Sequence, residues 1–363
     1  MSTAADEFVY DPFAPGFQDQ PYTTYRVLRD EYPVYRHPDR EYYALSRFED
    51  VWNAVHAPDQ FSSEVDIGFG LLPMMIFTDP PRHDRLRSIV SRAFTPRRIA
   101  ALEPLVKDVA RRLLDTMYDR GSGDLMHEFA GPLPSTVIGE LIGVPREQQP
   151  AFREWAEDLV EADPNAGVYP ESAIKIYECF ADLLDARRQQ PADDLMSALL
   201  AAQVDGSHLT QDELLGFCFL LLVAGNDTTT NLIGNGAALL AWHPGQRALL
   251  AATPALMANA IEEMLRYESP AQALPRITRT DVRLHDTTIE AGARVMLVWG
   301  AAKPRRARVR RRRTLRHPPP DRSPPRLRTR HPLLPRRRAR PTRSPSRIHR
   351  PPRPRTQLRA PRT

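Results

Sequence analysis

Cysteine is the scarcest reactive residue in this 363-residue chain, which contains only Cys179 and Cys218. Both lie in apolar helical patterns, so the sequence offers neither a disulfide framework nor a thiolate zinc cluster. A leader is lacking too: Met1 to Pro15 has acids and prolines but no apolar core. The expectation is a protein of the reduced cytoplasm, with neither signal peptide nor membrane anchor. Positive charge is short over most of the length. Residues 303 to 363 hold 24 of the 50 Lys+Arg and a single acid, Asp321, leaving residues 1 to 302 with 26 Lys+Arg against 44 Asp+Glu. The body is therefore acidic, at −18, although the whole chain carries +5. With 42% hydrophobic residues the chain has enough apolar material for a sizeable core.

What is present in quantity is helix. The longest runs from about Gln211 to Trp242, with Thr210 and Glu213 forming a capping-box start and Trp242-His243-Pro244-Gly245 supplying the stop. Its stretch Leu214 to Gly225 has no charge; at ~12 residues it suits a buried core helix and is too short to span a bilayer. Six polar residues, Asn226-Asp227-Thr228-Thr229-Thr230-Asn231, then interrupt the apolar run at mid-helix. Burying them without partners costs kilocalories, so a ligand, ordered water or hydrogen bonds to the preceding turn must meet them. Ala224 and Gly225, just before the patch, remove side-chain bulk where a flat group could lie against the backbone.

Around this element the pattern is mainly α. Apolar spacing and Pro punctuation predict helices at Tyr22–Glu31, Phe48–His56, Arg82–Phe94, Arg98–Asp119, Pro134–Ile142, Gln148–Glu161, Glu171–Arg188 and Asp193–Ala202. Further helices follow, from Gly245 to Ala251 and from Ala255 to Tyr267. Short strands are expected at Val34–Arg36, Tyr42–Leu45, Pro275–Thr280, Val282–His285 and Arg294–Trp299, with Glu290 to Ala293 as a turn and Ala57 to Pro73 irregular. The fold class is thus mainly α with small β-sheets. At Lys303 the composition changes abruptly: residues 303 to 363 contain 23 Arg and 14 Pro, no aromatic residue and no periodicity. Such a segment cannot bury enough apolar surface to fold alone and is expected to be disordered. The chain divides accordingly into a body, 1–302, and a low-complexity tail, 303–363.

Several short motifs are weak singly. Glu263 and Arg266 stand three apart on one helix face, where they can pair. His83 and Arg87 are i and i+4 on the helix after Thr78-Asp79-Pro80-Pro81, and Arg276 follows Leu274-Pro275 on a predicted strand. In combination they carry weight. Thr78-Asp79-Pro80-Pro81-Arg82-His83-Asp84-Arg85-Leu86-Arg87, then Ala224-Gly225-Asn226-Asp227-Thr228-Thr229, then Glu263-x-x-Arg266 and Leu274-Pro275-Arg276, closely resemble bacterial cytochrome P450 monooxygenases over about residues 8 to 302.

The resemblance implies a P450 fold that holds haem b (iron protoporphyrin IX). The central helix would cross the distal face of haem, with Ala224 and Gly225 at a kink. Thr228 would hydrogen-bond dioxygen, and Asp227 would pass protons inward, which is general-acid work. His83, Arg87 and Arg276 would pair with the haem propionates through charge-assisted bonds. Glu263 and Arg266 would stabilise the proximal core. The loop at Asp66–Met75 and the helices near Trp155–Tyr177 would shape the pocket for a small organic substrate. Electrons would come from a ferredoxin and ferredoxin reductase or a similar donor.

The family's iron ligand is a Cys thiolate in a Phe/Gly-rich loop beyond the strands that end near Trp299, and its electron push drives oxygen cleavage. No Cys stands after Cys218, and the text turns to Arg and Pro at Lys303. The sequence is therefore expected to be C-terminally incomplete as a P450, with no axial metal ligand. The abrupt change suggests a frameshift into high-GC codons. Cys218, about seven residues before Gly225, reads as a buried structural thiol. Two other functions remain open: a non-catalytic relative that binds a ligand or partner, and non-specific attraction of nucleic acid or other polyanions to the basic tail.

Overall fold

From Arg82 onward the helical expectation holds almost element by element. The computed structural model describes residues 8–65, 73–161, 170–204 and 206–302, together with the backbone of 357–359. The helices are α1 (Pro21–Glu31), α2 (Phe48–Val55), α3 (Arg82–Ala93), α4 (Pro96–Arg120), α5 (Pro132–Ile142), α6 (Gln149–Glu161), α7 (Glu171–Gln189), α8 (Leu195–Ala201), α9 (Gln211–Trp242), α10 (Pro244–Ala252) and α11 (Met257–Tyr267). Boundaries shift by a residue or two from the sequence reading, mostly because Pro begins the helix: Pro96, Pro132 and Pro244 each sit in a first turn, where a missing N–H costs least. At the far end of α4 Gly121 closes the helix in the left-handed region, at φ 72°.

The capping box is formed as expected. The Thr210 hydroxyl accepts from the Glu213 N–H at 3.2 Å and the Glu213 carboxylate accepts from the Thr210 N–H at 2.9 Å. The long helix has the expected bounds and runs unbroken through Ala224–Gly225 and the polar patch. Thr228, Thr230, Asp227 and Asn231 of the patch find hydrogen-bond partners without opening a turn. α9 packs against α5, α6, α7, α10 and α11. The main core gathers apolar side chains of α3, α5, α6, α7, α8 and the first half of α9, among them Ile89, Ile142, Phe180, Met196 and Leu215.

A five-stranded sheet lies beside these helices in the order β1-β2-β8-β5-β3. Its strands are β1 (Val34–Arg36), β2 (Tyr42–Leu45), β3 (Phe61–Ser62), β5 (Leu274–Thr278) and β8 (Arg294–Leu297); β4 (Ser122–Asp124) belongs to a separate pair. β1 and β2 form the expected antiparallel hairpin, whose turn is held by His37: its Nδ1 accepts from the N–H groups of Asp39 and Arg40 at 3.1 and 2.9 Å. β2 pairs in parallel with β8, so Tyr42 faces Arg294 and Leu45 faces Leu297. β5 is antiparallel to β8 and to β3. β6 (Val282–Leu284) and β7 (Thr287–Ile289) make a second hairpin.

Some differences from the sequence reading follow from strand length. β3, β4 and β7 were not expected, because two or three residues show no alternation to read. β9 (Gln357–Arg359) pairs antiparallel with β4. Residues 303–356 and 360–363 fall outside the described residues. So do 66–72 and 162–169, and with them much of the expected substrate loop and part of the expected pocket helices. Among the described residues no helix is long and apolar enough to cross a membrane.

Candidate functional site

The polar patch occupies the face of α9 that the core leaves half-open. Thr228 donates its hydroxyl to the carbonyl of Ala224 at 2.7 Å, one turn back. Thr230 donates to the Ala130 carbonyl at 3.0 Å, which ties α9 to the segment before α5. Asp227 is open to solvent along one edge and accepts from the Asn231 side-chain amide at 2.7 Å. Packing around it removes water and pushes its carboxyl above the usual carboxylate range, against the smaller opposing effect of Asn231. Asp227 and Thr228 are adjacent on one turn, with the carboxyl directed to Asn231 and the hydroxyl to Ala224. Asn226 points the other way, 4% exposed, and its Oδ1 has no partner.

Two glycines of α9 lie against neighbouring helices. A Cβ on Gly225 would meet Ile138 Cδ1 of α5 at 3.0 Å, and one on Gly236 would meet Met264 Sδ of α11 at 2.9 Å. Gly225 therefore allows α5 to approach. The sequence reading overlooked Gly236, for which only the small-residue spacing gave a hint.

The expected cations come from two elements. His83 and Arg87 lie on α3; His83 contacts Asp84 at 3.1 Å, and Arg87 is exposed with no ion pair among the described residues. Arg276 lies on β5, half-buried, donating to the carbonyl of Pro275 at 2.8 Å. Burial weakens the hold of its guanidinium on the proton, and Asp79 partly restores it. Among the described residues no carboxylate pairs with Arg276, an arrangement that suits an incoming anion. The first turn of α3 is fixed to β5 through Asp79. Its carboxylate accepts from Ser62 Oγ at 2.6 Å, the Ser63 N–H at 2.8 Å and Arg279 at 2.8 Å. These donors hold Asp79 below the usual carboxylate range despite burial. Sequence reasoning quoted Asp79 within a motif but gave it no role.

Glu263 and Arg266 do pair on α11, through two hydrogen bonds of 2.9 and 2.7 Å, and both are largely buried. Such a bidentate pair away from solvent is a structural tie.

For the haem that the sequence implies, the edge residues fit: α3 and the β5 end, joined through Asp79, carry Arg87 and Arg276 with no carboxylate partner among the described residues, so a porphyrin's carboxylates could be held there. The axial role does not fit either cysteine. Cys179 and Cys218 are both buried in the main core. Burial pushes the Cys179 thiol up to about 11 and the Cys218 thiol up to about 12, so neither favours the thiolate.

No protein-family model matches the chain. Individual relatives do. The putative cytochrome P450 123 of Mycobacterium tuberculosis is 39% identical over 310 residues, covering 82% of this chain and 77% of that protein. The vitamin D(3) 25-hydroxylase of Pseudonocardia autotrophica is 41% identical over 309 residues, covering 81% of this chain and 76% of that one. Among solved structures, cytochrome P450 CYP109Q5 from Chondromyces apiculatus superposes with a TM-score of 0.75 at 38% identity, over 81% of this chain and 77% of that chain. CYP109E1 from Bacillus megaterium in complex with testosterone gives a TM-score of 0.72 at 33% identity, over 78% and 76%. With the helical order, the half-open polar turn of α9 and these relatives in agreement, the chain belongs to the bacterial cytochrome P450 family of monooxygenases.

Proposed function

We propose that residues 1–302 are the scaffold of a haem-dependent monooxygenase that inserts one atom of O2 into a small organic substrate. We also propose that the chain as written is impaired in that reaction. The observation that carries the reading is the mid-helix turn Ala224–Thr228, half-open where the core half of the helix ends, together with Arg87 of α3 and Arg276 of β5, which have no carboxylate partner among the described residues. When bound, haem would supply the oxygen-activating iron. The residues of this chain would do the rest. His83, Arg87 and Arg276 would hold the propionates. Asp227, with its raised carboxyl, would keep a proton and deliver it through water, and Thr228 would accept a hydrogen bond on the hydroxyl lone pairs left free by its bond to Ala224.

Electrons would come from a ferredoxin-type donor, and the reaction would take place in the cytoplasm. For the substrate, the Met75–Phe77 turn offers partly buried apolar side chains. Relatives named for vitamin D(3) hydroxylation and a testosterone complex favour a rigid, lipophilic molecule. The impairment rests on the cysteines: neither buried thiol can serve the iron, and residues 303–363 contain no other. We infer that this tail is an out-of-frame reading and that the natural domain continues beyond Ala302.

Two measurements test the proposal. The reduced protein with carbon monoxide should lack the thiolate-type Soret band; its appearance would show that the iron has a thiolate after all. Resequencing the coding DNA from the Gly300 codon should reveal, in a neighbouring frame, a Phe-x-x-Gly-x-x-x-Cys-x-Gly type loop. If no frame encodes a ligand cysteine, the frameshift is wrong and a non-catalytic relative takes its place.

A further inference from the structure

The basic residues around α3 and β5 divide into two groups. Arg82 and Arg85 are committed to Glu213, at 3.3 and 3.4 Å, which fastens α3 to the start of α9. Arg279 is committed to Asp79 and Glu64, at 2.8 and 3.3 Å. Arg87 and Arg276 have no such partner among the described residues, and they alternate along the same elements with the committed ones. The committed cations build a frame, and the uncommitted ones are carried by it.

Asp79 is the joint of that frame. It is 6% exposed, and its side chain grips the β3 end through Ser62 and Ser63 and the β5 end through Arg279. Its main-chain carbonyl meanwhile accepts from the His83 N–H at 2.9 Å, which starts α3. One residue thus ties the helix bearing His83 and Arg87 to the strand bearing Arg276. We propose that Asp79 is a positioning residue that sets the spacing between these two cation-bearing elements for a dianionic ligand, a porphyrin dicarboxylate. The proposal rests on the haem-site reading above.

Geometry and charge make opposite demands on this residue, which gives the test its power. A carboxylate only accepts, and Asp79 takes three donors; an amide would turn an NH2 toward at least one of them. Asp79→Asn should therefore loosen the joint and weaken dicarboxylate binding. If Asp79 acted only as a nearby negative charge, the same change would tighten the binding of an anion.

The experiment titrates the full chain with metal-free protoporphyrin IX, which needs no axial ligand, and with its dimethyl ester, which lacks the two charges. Asp79→Asn should bind protoporphyrin IX about tenfold more weakly, equivalent to ~1.4 kcal/mol, while affinity for the ester changes less than about twofold. Arg279→Gln removes the same joint from the other side and should give the same split, even if one of the two variants folds poorly. Tighter or unchanged protoporphyrin binding in both variants would overturn the proposal, and so would equal loss of both ligands, which marks general damage. If the parent chain binds neither porphyrin, the haem-site reading itself fails and takes the proposal with it.

Discussion

From Glu213 to Leu222, α9 buries eight residues, all apolar or glycine except Glu213; from Val223 to Trp242 it buries three, Asn226, Gly236 and Leu239. The first half fills the core against α5, α6 and α7. In the second half, neighbours come close to the backbone, and side chains stay half-open. A single helix can thus serve as ballast at one end and as a working surface at the other. The change falls at Ala224–Asn226, where side-chain bulk shrinks and polar groups begin.

The contrast can be broken or sharpened by experiment. The largest effect concerns Cys218, deep in the first half. Its raised thiol should react with disulfide reagents on the order of a thousandfold more slowly than an exposed cysteine. Cys179 should be protected in the same way, and both should titrate only when denaturant is added; fast labelling of the native protein would contradict the burial. Next comes Leu215→Ala, which should cost about 2–5 kcal/mol by chemical denaturation, whereas the half-buried Leu232→Ala should cost less than half as much. Equal losses would erase the distinction between the halves. Thr210→Ala removes the cap and should cost about 1 kcal/mol.

The smallest effect is at Asp227. Its carboxyl is raised in the folded protein, so the unfolded chain releases the proton first, and stability is lost as pH rises through the folded value. Asp227→Asn, which can still accept from Asn231, should have a modestly higher Tm than the parent at pH 7. The gap should close as pH falls below the ordinary carboxylate range. A gap independent of pH would mean that the carboxyl is not the cause.

Much of this was legible in the sequence. Thr210 and Glu213 announced the start of α9, and prolines marked other helix entries. The combination of Ala224-Gly225-Asn226-Asp227-Thr228 with Glu263-x-x-Arg266 was enough to suggest the family. What escaped was anything decided by contacts between distant segments. Asp79 and Arg279 are 200 residues apart, and only the pairing of β3 with β5 brings them together. The approach of Ile138 to Gly225 is likewise a property of how α5 crosses α9. Short strands such as β3 exist because a partner accepts them, and two residues alone carry no period.

The parallel pairing of β2 with β8 has a consequence for how the molecule is made. Tyr42–Leu45, all four buried in the finished sheet, wait for partners about 250 residues later in the chain. At a synthesis rate of about 5–20 residues per second, that is roughly 12 to 50 s on the ribosome with an open sheet edge. During that interval the β1–β2 hairpin presents unpaired backbone groups to any neighbouring strand. The β2 edge therefore has no strand of its own sheet to cover it until Leu297 emerges.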